Sequence, residues 1–338
     1  MEPKIPMPAT PPLPRPPAPA EVKLAVGKRR TGVAAVALGG LLAVAAWGQP
    51  AAQRGVVVRI GISTREMANT NRADVQAAMK VWMKTFAREK NLDVDPDTVV
   101  FDSLSDMADA LRLKQLDVVT ASTDEFLVLE KVAALPRVYA ARVNGKVTEQ
   151  YVLLVRDDGA FKGLGGLRGQ PLVVLDSPRT TLAPIWLDTE LMRDKLPVGA
   201  RFFGKVSHAG KLNLAILPVF FKQAGAALVT RAGFETAVEL NPQLAKELRI
   251  LAGSPDLIPS LTAYRSGGNL LVTDNYRKEA ARLREDPAGK LILDLFQIEG
   301  VTELQPSDLV QTRDFLADYA RLKTLADRAE AGRRGTAP

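Results

Sequence analysis

A polar turn from Asp176 to Thr181 lies between two stretches of different pattern. The apolar run from Leu172 to Leu175 predicts a buried strand, and residues from about 181 to 194 predict a helix. A strand that ends in hydroxyl groups at a helix start suits an anion, because free N–H groups and the positive end of the helix dipole point at it. Arg179 would add a full positive charge and a forked donor. Taken alone, such a turn is more often an ordinary helix cap.

Four further predicted strands end in hydroxyl or basic residues. These turns are Ser63-Thr64-Arg65, Ser122-Thr123, Ser207-His208 and Thr230-Arg231. Ligands of open parallel sheets bind beyond the carboxyl ends of the strands, so all five turns could face one cleft and favour a small oxyanion. We expect His208 to begin a helix that runs to about Leu217, where either ring nitrogen could donate to the anion. The alternative is a solvent-facing histidine at a helix end.

An enzymatic role would require His208 as a base, with Ser177 or Ser207 as the nucleophile. The sequence has no Gly-x-Ser-x-Gly elbow, and no third residue is identifiable as the group that orients the base. The chain has no cysteine and one histidine. Thiol chemistry is thereby excluded and most multi-histidine metal sites are removed, although carboxylate sites stay possible. We therefore expect a protein that is not an enzyme, with no catalytic residues, no cofactor and no metal.

The positive charge is concentrated at the start of the chain. Of 338 residues with a formal net charge of +7, residues 1–30 hold six Lys or Arg and two Glu. The remainder of the chain is too weakly basic to indicate a nucleic-acid partner. We expect the proline-rich residues 1–22 to be disordered. Residues 23–54 combine Lys28-Arg29-Arg30 with an apolar run over 31–47, which predicts an export signal or, alternatively, an uncleaved anchor. Either places the folded part in the periplasm.

From residue 56 onward, predicted strands and helices alternate, which indicates an α/β fold with sheets covered by helices. The chain leaves the first unit at the strand that begins at Tyr151 and returns after the apolar segment Arg249 to Ala252. We therefore predict one lobe from residues 55–150 plus 255–330, and a second lobe from residues 151–254. A disordered tail is expected over 331–338.

Six segments together resemble a known family. They are Val58-Arg-Ile-Gly-Ile-Ser63, Leu116-Asp-Val-Val119, Val155-Arg-Asp-Asp158, Leu164-Gly-Gly-Leu-Arg-Gly169, the Asp176 to Thr181 turn and Ser207-His208. From about Val56 to about Val310 the chain resembles the periplasmic solute-binding proteins of phosphate, phosphite and phosphonate ABC importers. The resemblance implies the type II periplasmic binding protein fold: two α/β lobes with mixed, mainly parallel sheets, joined by two crossover hinge strands and closing on the ligand.

The resemblance also implies a set of ligand contacts. The family holds its phosphonate by a Ser-Thr-Ser turn and by the histidine of a Ser-His-Asp sequence. Thr180 and Thr181 match the last two positions of that turn, Arg179 stands at the first, and His208 matches the histidine. The expected ligand-binding residues are Arg179, Thr180, Thr181, His208, Ser207, Arg65, Thr123, Phe126 and Thr230.

Several positions depart from the family pattern. An aromatic residue often found after the first strand is replaced near Arg65. Phe126 stands where a tyrosine would supply a hydroxyl, and Ala209 replaces the aspartate after the histidine. Thr230 replaces an aspartate that would bind an aminoalkyl group. With Arg65, Arg179 and Arg231 near the turns, we expect the cleft to favour a compact dianion over the zwitterion 2-aminoethylphosphonate.

The combined prediction is an exported protein that captures a small phosphorus oxyanion and passes it to the membrane permease of an ABC importer. The first alternative is a sensor or adaptor derived from such a binding protein, with an altered pocket and possibly anchored by residues 31–47. The second alternative is a transferase of related fold, which the lack of a base and nucleophile pair disfavours.

Overall fold

The structure is a computed structural model that describes residues 56–67, 70–89, 94–268, 283–285 and 287–335. The segments predicted for residues 1–22 and 23–54 lie outside the described residues. Within the described part, no helix combines the length and the apolar character that crossing a membrane requires.

Strands and helices alternate along most of the described chain. The strands are β1 (Val56–Ser63), β2 (Val94–Phe101), β3 (Val118–Ser122), β4 (Arg137–Arg142), β5 (Tyr151–Arg156), β6 (Pro171–Leu175), β7 (Lys205–Ala209), β8 (Ala226–Thr230), β9 (Leu248–Gly253), β10 (Ser260–Tyr264) and β11 (Gly300–Glu303). The helices are α1 (Arg72–Glu89), α2 (Leu104–Arg112), α3 (Thr123–Leu129), α4 (Ala183–Arg193), α5 (Gly199–Phe202), α6 (Leu212–Phe220), α7 (Arg231–Leu240), α8 (Gln243–Glu247), α9 (Pro287–Phe296) and α10 (Val310–Gly335). Short 3₁₀ helices lie at Thr64–Glu66, Leu164–Leu167, Pro178–Thr180 and Pro306–Leu309.

The strands form two separate sheets. The first sheet has the spatial order β11-β4-β10-β3-β1-β2, and the second has the order β7-β6-β8-β5-β9. This mixed α/β arrangement of two sheets confirms the predicted fold class. Of the nine strand pairings in the described residues, four are parallel, so the expectation of mainly parallel sheets is wrong. The cause is that β10 and β11 run opposite to the other strands of the first sheet, as β5 does in the second.

The central strands consist largely of aliphatic residues, because they are buried on both faces of the sheet. In the first sheet, Ile60 faces Trp82 of α1, and Val119 faces Met107 of α2 on the other side. In the second sheet, Leu228 and Trp186 of α4 share one core, and Val229 and Ile216 of α6 share the other. The helices therefore cover both faces of each sheet.

Two chain segments, 143–150 and 254–259, run between the sheets. They pair with each other at Glu149 and Leu257, whose main-chain N–H groups each donate to the other's carbonyl oxygen at 2.7 and 2.9 Å. This antiparallel pairing fixes the route of the chain where it leaves the first sheet and where it comes back.

The last helix, α10, connects to both halves of the structure. Phe315 and Leu316 lie in the same core as Trp186 of α4, while the Arg313 guanidinium donates to both carboxylate oxygens of Glu130, directly after α3. The helix continues to Gly335, where the sequence predicted a tail without structure from residue 331. The domain boundaries 55–150 plus 255–330 and 151–254 stay a prediction.

The Ser207-His208 segment differs from its predicted structure. Both residues lie in β7, where His208 is in register with Val174 of β6. The expected helix begins at Leu212 instead of His208 and includes Pro218. The edge strand β7 exposes most of its side chains, so it lacks the apolar pattern that marks a buried strand.

The docking of α10 on the second sheet can be tested by truncating Phe315, whose exposed fraction is 8%. Phe315→Ala should lower the free energy of unfolding by about 3–5 kcal/mol, because it leaves a cavity between α10 and α4. Leu325→Ala is the control on the same helix, since Leu325 is 52% exposed and should change stability by about 0.5 kcal/mol or less. Urea unfolding gives both values, and equal losses would contradict the docking.

Candidate functional site

The turn between β6 and α4, residues 177–181, meets the strand ends of the first sheet. Arg65, just after β1, donates through Nη2 to the carbonyl oxygen of Thr181 at 3.0 Å. Thr181 in turn donates its hydroxyl to the carbonyl oxygen of Pro259, just before β10, at 3.0 Å. These two hydrogen bonds close the cleft between the sheets, and they involve two of the predicted ligand contacts.

The shape of the turn depends on Thr180. Its hydroxyl accepts from the Ser177 N–H at 3.0 Å and donates to the carbonyl oxygen of Leu175 at 2.7 Å. The side chain is buried. Thr180 therefore holds the turn together, and its hydroxyl proton is already committed within the turn.

Arg179 joins the turn to the crossing segment 143–150. Its Nε donates to the carboxylate of Glu149, and its Nη2 approaches the Thr148 carbonyl oxygen at 3.4 Å. The Glu149 side chain is 8% exposed. Burial raises the pKa of Glu149, while the Arg179 charge and hydrogen bond oppose that rise. A predicted ligand donor is thus also one half of a largely buried ion pair.

The turns after β1 and β3 meet as the sequence predicted, through an acidic residue that was not among the predicted site residues. Glu125 of α3 accepts hydrogen bonds from the hydroxyls of Ser63 and Ser122, at 3.1 and 3.0 Å. Arg65 donates to the neighbouring Asp124 at 2.7 Å. The Asp124-Glu125 pair at a helix start was the available signal, because carboxylates are favoured in the first helical turn.

The cleft contains more acidic than basic groups. Arg65 and Arg179 each pair with a carboxylate, and Glu66 and Glu125 lie beside the same contacts. Arg231, the third arginine near the turns, lies 3.9 Å from Glu235. These carboxylates compensate the positive charge that was expected of the cleft. The preference for a dianion over a zwitterion stays a prediction. The compensating carboxylates were not predicted from the sequence.

Glu66 is the most perturbed of these groups. It lies at the end of the 3₁₀ helix after β1 and is 3% exposed. Burial raises its pKa to about 8; a hydrogen bond with Ser260 opposes the rise and the charge of Glu125 adds to it. Within the described residues, its Oε1 has no hydrogen-bond partner. At neutral pH this side chain is mainly protonated, so it can donate a hydrogen bond.

Glu66 also lines a cavity of about 300 Å³ that begins at the turn. Ser177 and Arg179 of the turn form part of the same wall, together with Ser260 of β10. The remainder of the wall is mostly apolar and belongs to the first sheet and its covering helices. In the described residues no group of three or more acidic, histidine or cysteine side chains is arranged to hold a metal ion.

The remaining predicted contacts have other partners. Thr123 donates to the Ile258 carbonyl oxygen at 2.6 Å, and Phe126 is buried in the core beneath α3. Thr230 caps α7 by accepting from the Gly233 N–H at 3.1 Å. Ser207 donates to the Leu172 carbonyl oxygen at 3.3 Å, and the His208 side chain is exposed. Contact of these five residues with a ligand stays a prediction.

The buried Glu66 predicts a pH-dependent stability. Between pH 4.5, its ordinary pKa, and about pH 8, the unfolded chain releases a proton that the folded protein keeps. Stability is therefore full below pH 4.5 and falls as the pH rises to about 8. Glu66→Gln has no ionisable group at this position and therefore avoids the loss of stability at high pH. The difference in melting temperature between the variant and the wild type should increase in favour of the variant from pH 5 to pH 9. Thermal unfolding followed by circular dichroism measures it.

The control for this experiment is Glu235→Gln, whose side chain is 60% exposed on α7. Its melting temperature relative to the wild type should change little across the same range. A Glu66→Gln difference that is constant with pH would show that Glu66 is ionised in the folded protein.

Comparison with known proteins identifies the family. The family model of the phosphonate ABC transporter periplasmic substrate-binding proteins matches residues 67–309. No curated protein matches this chain. The structure of XAC2383 from Xanthomonas citri, bound to chloride ion, is 17% identical with a TM-score of 0.58, covering 79% of this chain and 99% of that chain.

Two further solved structures are also similar to this chain. The binding protein component of an ABC phosphonate transporter from Pseudomonas aeruginosa (PA3383) is 14% identical, with a TM-score of 0.54, over 80% of this chain and 89% of that chain. PhnD1 from Prochlorococcus marinus, in complex with methylphosphonate, is 13% identical, with a TM-score of 0.52, over 77% of this chain and 96% of that chain. At these identities the likeness shows the fold alone. Because the family model covers well over half of the sequence, the chain belongs to the periplasmic substrate-binding proteins of phosphonate-type ABC transporters.

Proposed function

We propose that this protein captures a small phosphorus oxyanion, namely phosphate, phosphite or an alkylphosphonate, between its two sheets and delivers it to the membrane permease of an ABC importer. Family membership supports the transport role and favours it over the sensor or adaptor alternative. The observation that carries the ligand site is the meeting of turn 177–181 with the strand ends of the first sheet, through Arg65 and Thr181.

The two contacts that close the cleft use donors suited to an oxyanion. Arg65 and Thr181 now donate to neutral main-chain carbonyl oxygens. A phosphonate oxygen carries charge, and charge-assisted hydrogen bonds are roughly twice as strong as neutral ones. A bound oxyanion would therefore replace the carbonyl oxygens as the acceptor and keep the cleft closed around it.

Arg179 adds a further donor. A guanidinium has five N–H groups, and Arg179 uses Nε to contact Glu149 and Nη2 to contact Thr148. The ion pair fixes the direction of the guanidinium plane at the cavity wall, and Nη1 remains for an oxyanion. In this proposal Arg65, Arg179 and Thr181 bind the ligand, while Thr180 shapes the turn.

The charge balance of the cleft affects which phosphonates can bind. Because Arg65 and Arg179 are paired with carboxylates, selection depends on hydrogen-bond geometry more than on net charge. The amine of 2-aminoethylphosphonate meets no excess of positive charge here. It therefore belongs in the set of ligands to be compared.

The protein would act outside the cytoplasmic membrane, where its family acts, and would bind its ligand without converting it. Residues 23–54 would supply the export signal. Detection of the mature start between residues 46 and 54, by N-terminal sequencing of protein from the native host, would support this location.

Thr181→Ala tests the ligand site. The variant loses one hydrogen bond to a charged group, about 1.5–3 kcal/mol, so methylphosphonate should bind roughly tenfold more weakly or worse. Isothermal titration calorimetry with methylphosphonate, phosphate, phosphite, 2-aminoethylphosphonate and sulfate gives the affinities. Thr189→Ala is the matched control, because the buried Thr189 hydroxyl donates within α4 to Ile185.

Thr189→Ala should keep wild-type affinity for methylphosphonate. If the wild-type protein binds none of the phosphorus oxyanions, the proposed ligand class is wrong. If it binds one and Thr181→Ala binds it equally well, the ligand lies elsewhere than at turn 177–181.

A further inference from the structure

The cavity of about 300 Å³ extends far beyond the cleft. Its floor is one face of the first sheet and includes residues of five strands, from Ile62 of β1 to Val301 of β11. With neighbouring strands about 4.8 Å apart, the floor is about 19 Å wide. Trp82 of α1 and Phe296 of α9 line the other side. The space therefore lies between a sheet and its covering helices, where a closely packed core is usual.

One end of the cavity is polar. Ser177 and Arg179 of turn 177–181 line it there, beside Glu66 and Ser260. The same turn holds the oxyanion in the proposed function. One ligand could thus place an anionic group at the turn and an apolar group along the face of the first sheet.

A second observation at this end also indicates a ligand. Glu66 lines the cavity with a side chain that is 3% exposed, and its buried Oε1 atom has no hydrogen-bond partner within the described residues. Buried polar atoms are nearly always hydrogen-bonded, and leaving one unpaired costs stability. A ligand with a donor near its anionic group, such as the P–OH of a singly protonated phosphonate, would satisfy this oxygen.

The inner part of the cavity is chemically different. Besides the hydroxyl pair of Thr120 and Thr262, which bond to each other at 3.0 Å, it is lined mainly by aliphatic and aromatic side chains such as Val58, Met83 and Ile292. Such a surface binds hydrocarbon in preference to water. Its volume lies at the lower end of the range for sites of small organic ligands.

We infer that the ligand is an amphiphilic phosphonate, whose anionic group binds at turn 177–181 and whose apolar substituent of several carbon atoms fills the cavity against the first sheet. This inference rests on the proposed function, because it places the anionic group at the same turn. It adds the chemical class of the substituent, which the small oxyanions do not have.

The inference is tested with a series of methyl-, butyl- and octylphosphonate, titrated into the full-length protein by calorimetry. Each methylene that enters the cavity should raise the affinity about fourfold, until the space is filled. Octylsulfonate and octylamine, at the same concentrations, measure what the chain contributes without the phosphonate group.

Thr262→Phe should reduce the cavity and weaken octylphosphonate at least tenfold, while methylphosphonate binds as in the wild type. Val57→Phe adds a similar side chain to β1 on the opposite side of the sheet, at a position that is 41% exposed, and should leave both affinities unchanged. Circular dichroism establishes that both variants fold.

Fluorescence provides a measurement on the wild-type protein, because Trp82 lines the cavity. Octylphosphonate should shift the emission of Trp82, whereas methylphosphonate should not. The shift should persist in Trp186→Phe, because Trp186 is buried in the core of the second sheet, and disappear in Trp82→Phe.

The outcomes separate this inference from the proposed function. If methylphosphonate binds and the affinity does not rise with chain length, the amphiphilic ligand is overturned and the proposed function stands. If octylphosphonate binds equally to the wild type and to a folded Thr262→Phe, or does not change Trp82 emission, the substituent lies outside the cavity. If no phosphonate binds at all, the proposed function fails, and this inference fails with it.

Discussion

The ion pair between Arg179 and Glu149 is the constraint on which the site depends. It ties the turn before α4 to the segment that crosses between the sheets, and Glu149 also pairs with Leu257 of the second crossing segment. The carboxylate is largely buried, so loss of either partner would leave an uncompensated charge, which is strongly destabilising. The pair therefore fixes the turn relative to the first sheet and directs the remaining donors of Arg179 toward the cleft.

The closed cleft explains how a ligand could be held without a large excess of positive charge. Arg65 and Thr181 already connect the two sheets through main-chain carbonyl oxygens. A ligand stabilises the closed cleft only if its own hydrogen bonds are more favourable than the contacts that it replaces. A charged acceptor provides that difference at the turn, and an apolar substituent in the adjoining cavity would add to it. Both contributions come from groups that the fold already places side by side.

The order of strands and helices could be predicted, because buried strands and amphipathic helices follow the apolar pattern of the chain. Turn 177–181 was found for the same reason, since it follows the aliphatic strand β6. The acidic partners were missed because they are distant in sequence: Glu149 lies 30 residues before Arg179, and Asp124 lies 59 residues after Arg65. His208 was placed at a helix start because the exposed edge strand β7 lacks an apolar pattern.

A crystal structure of the protein with methylphosphonate would show directly whether the ligand binds at turn 177–181. We expect the phosphonate within hydrogen-bond distance of the Thr181 hydroxyl and of the guanidinium groups of Arg65 and Arg179, with its methyl group directed into the cavity beside Glu66. A phosphonate bound away from this turn, with the contacts of Arg65 and Thr181 to the main-chain carbonyl oxygens unchanged, would contradict it.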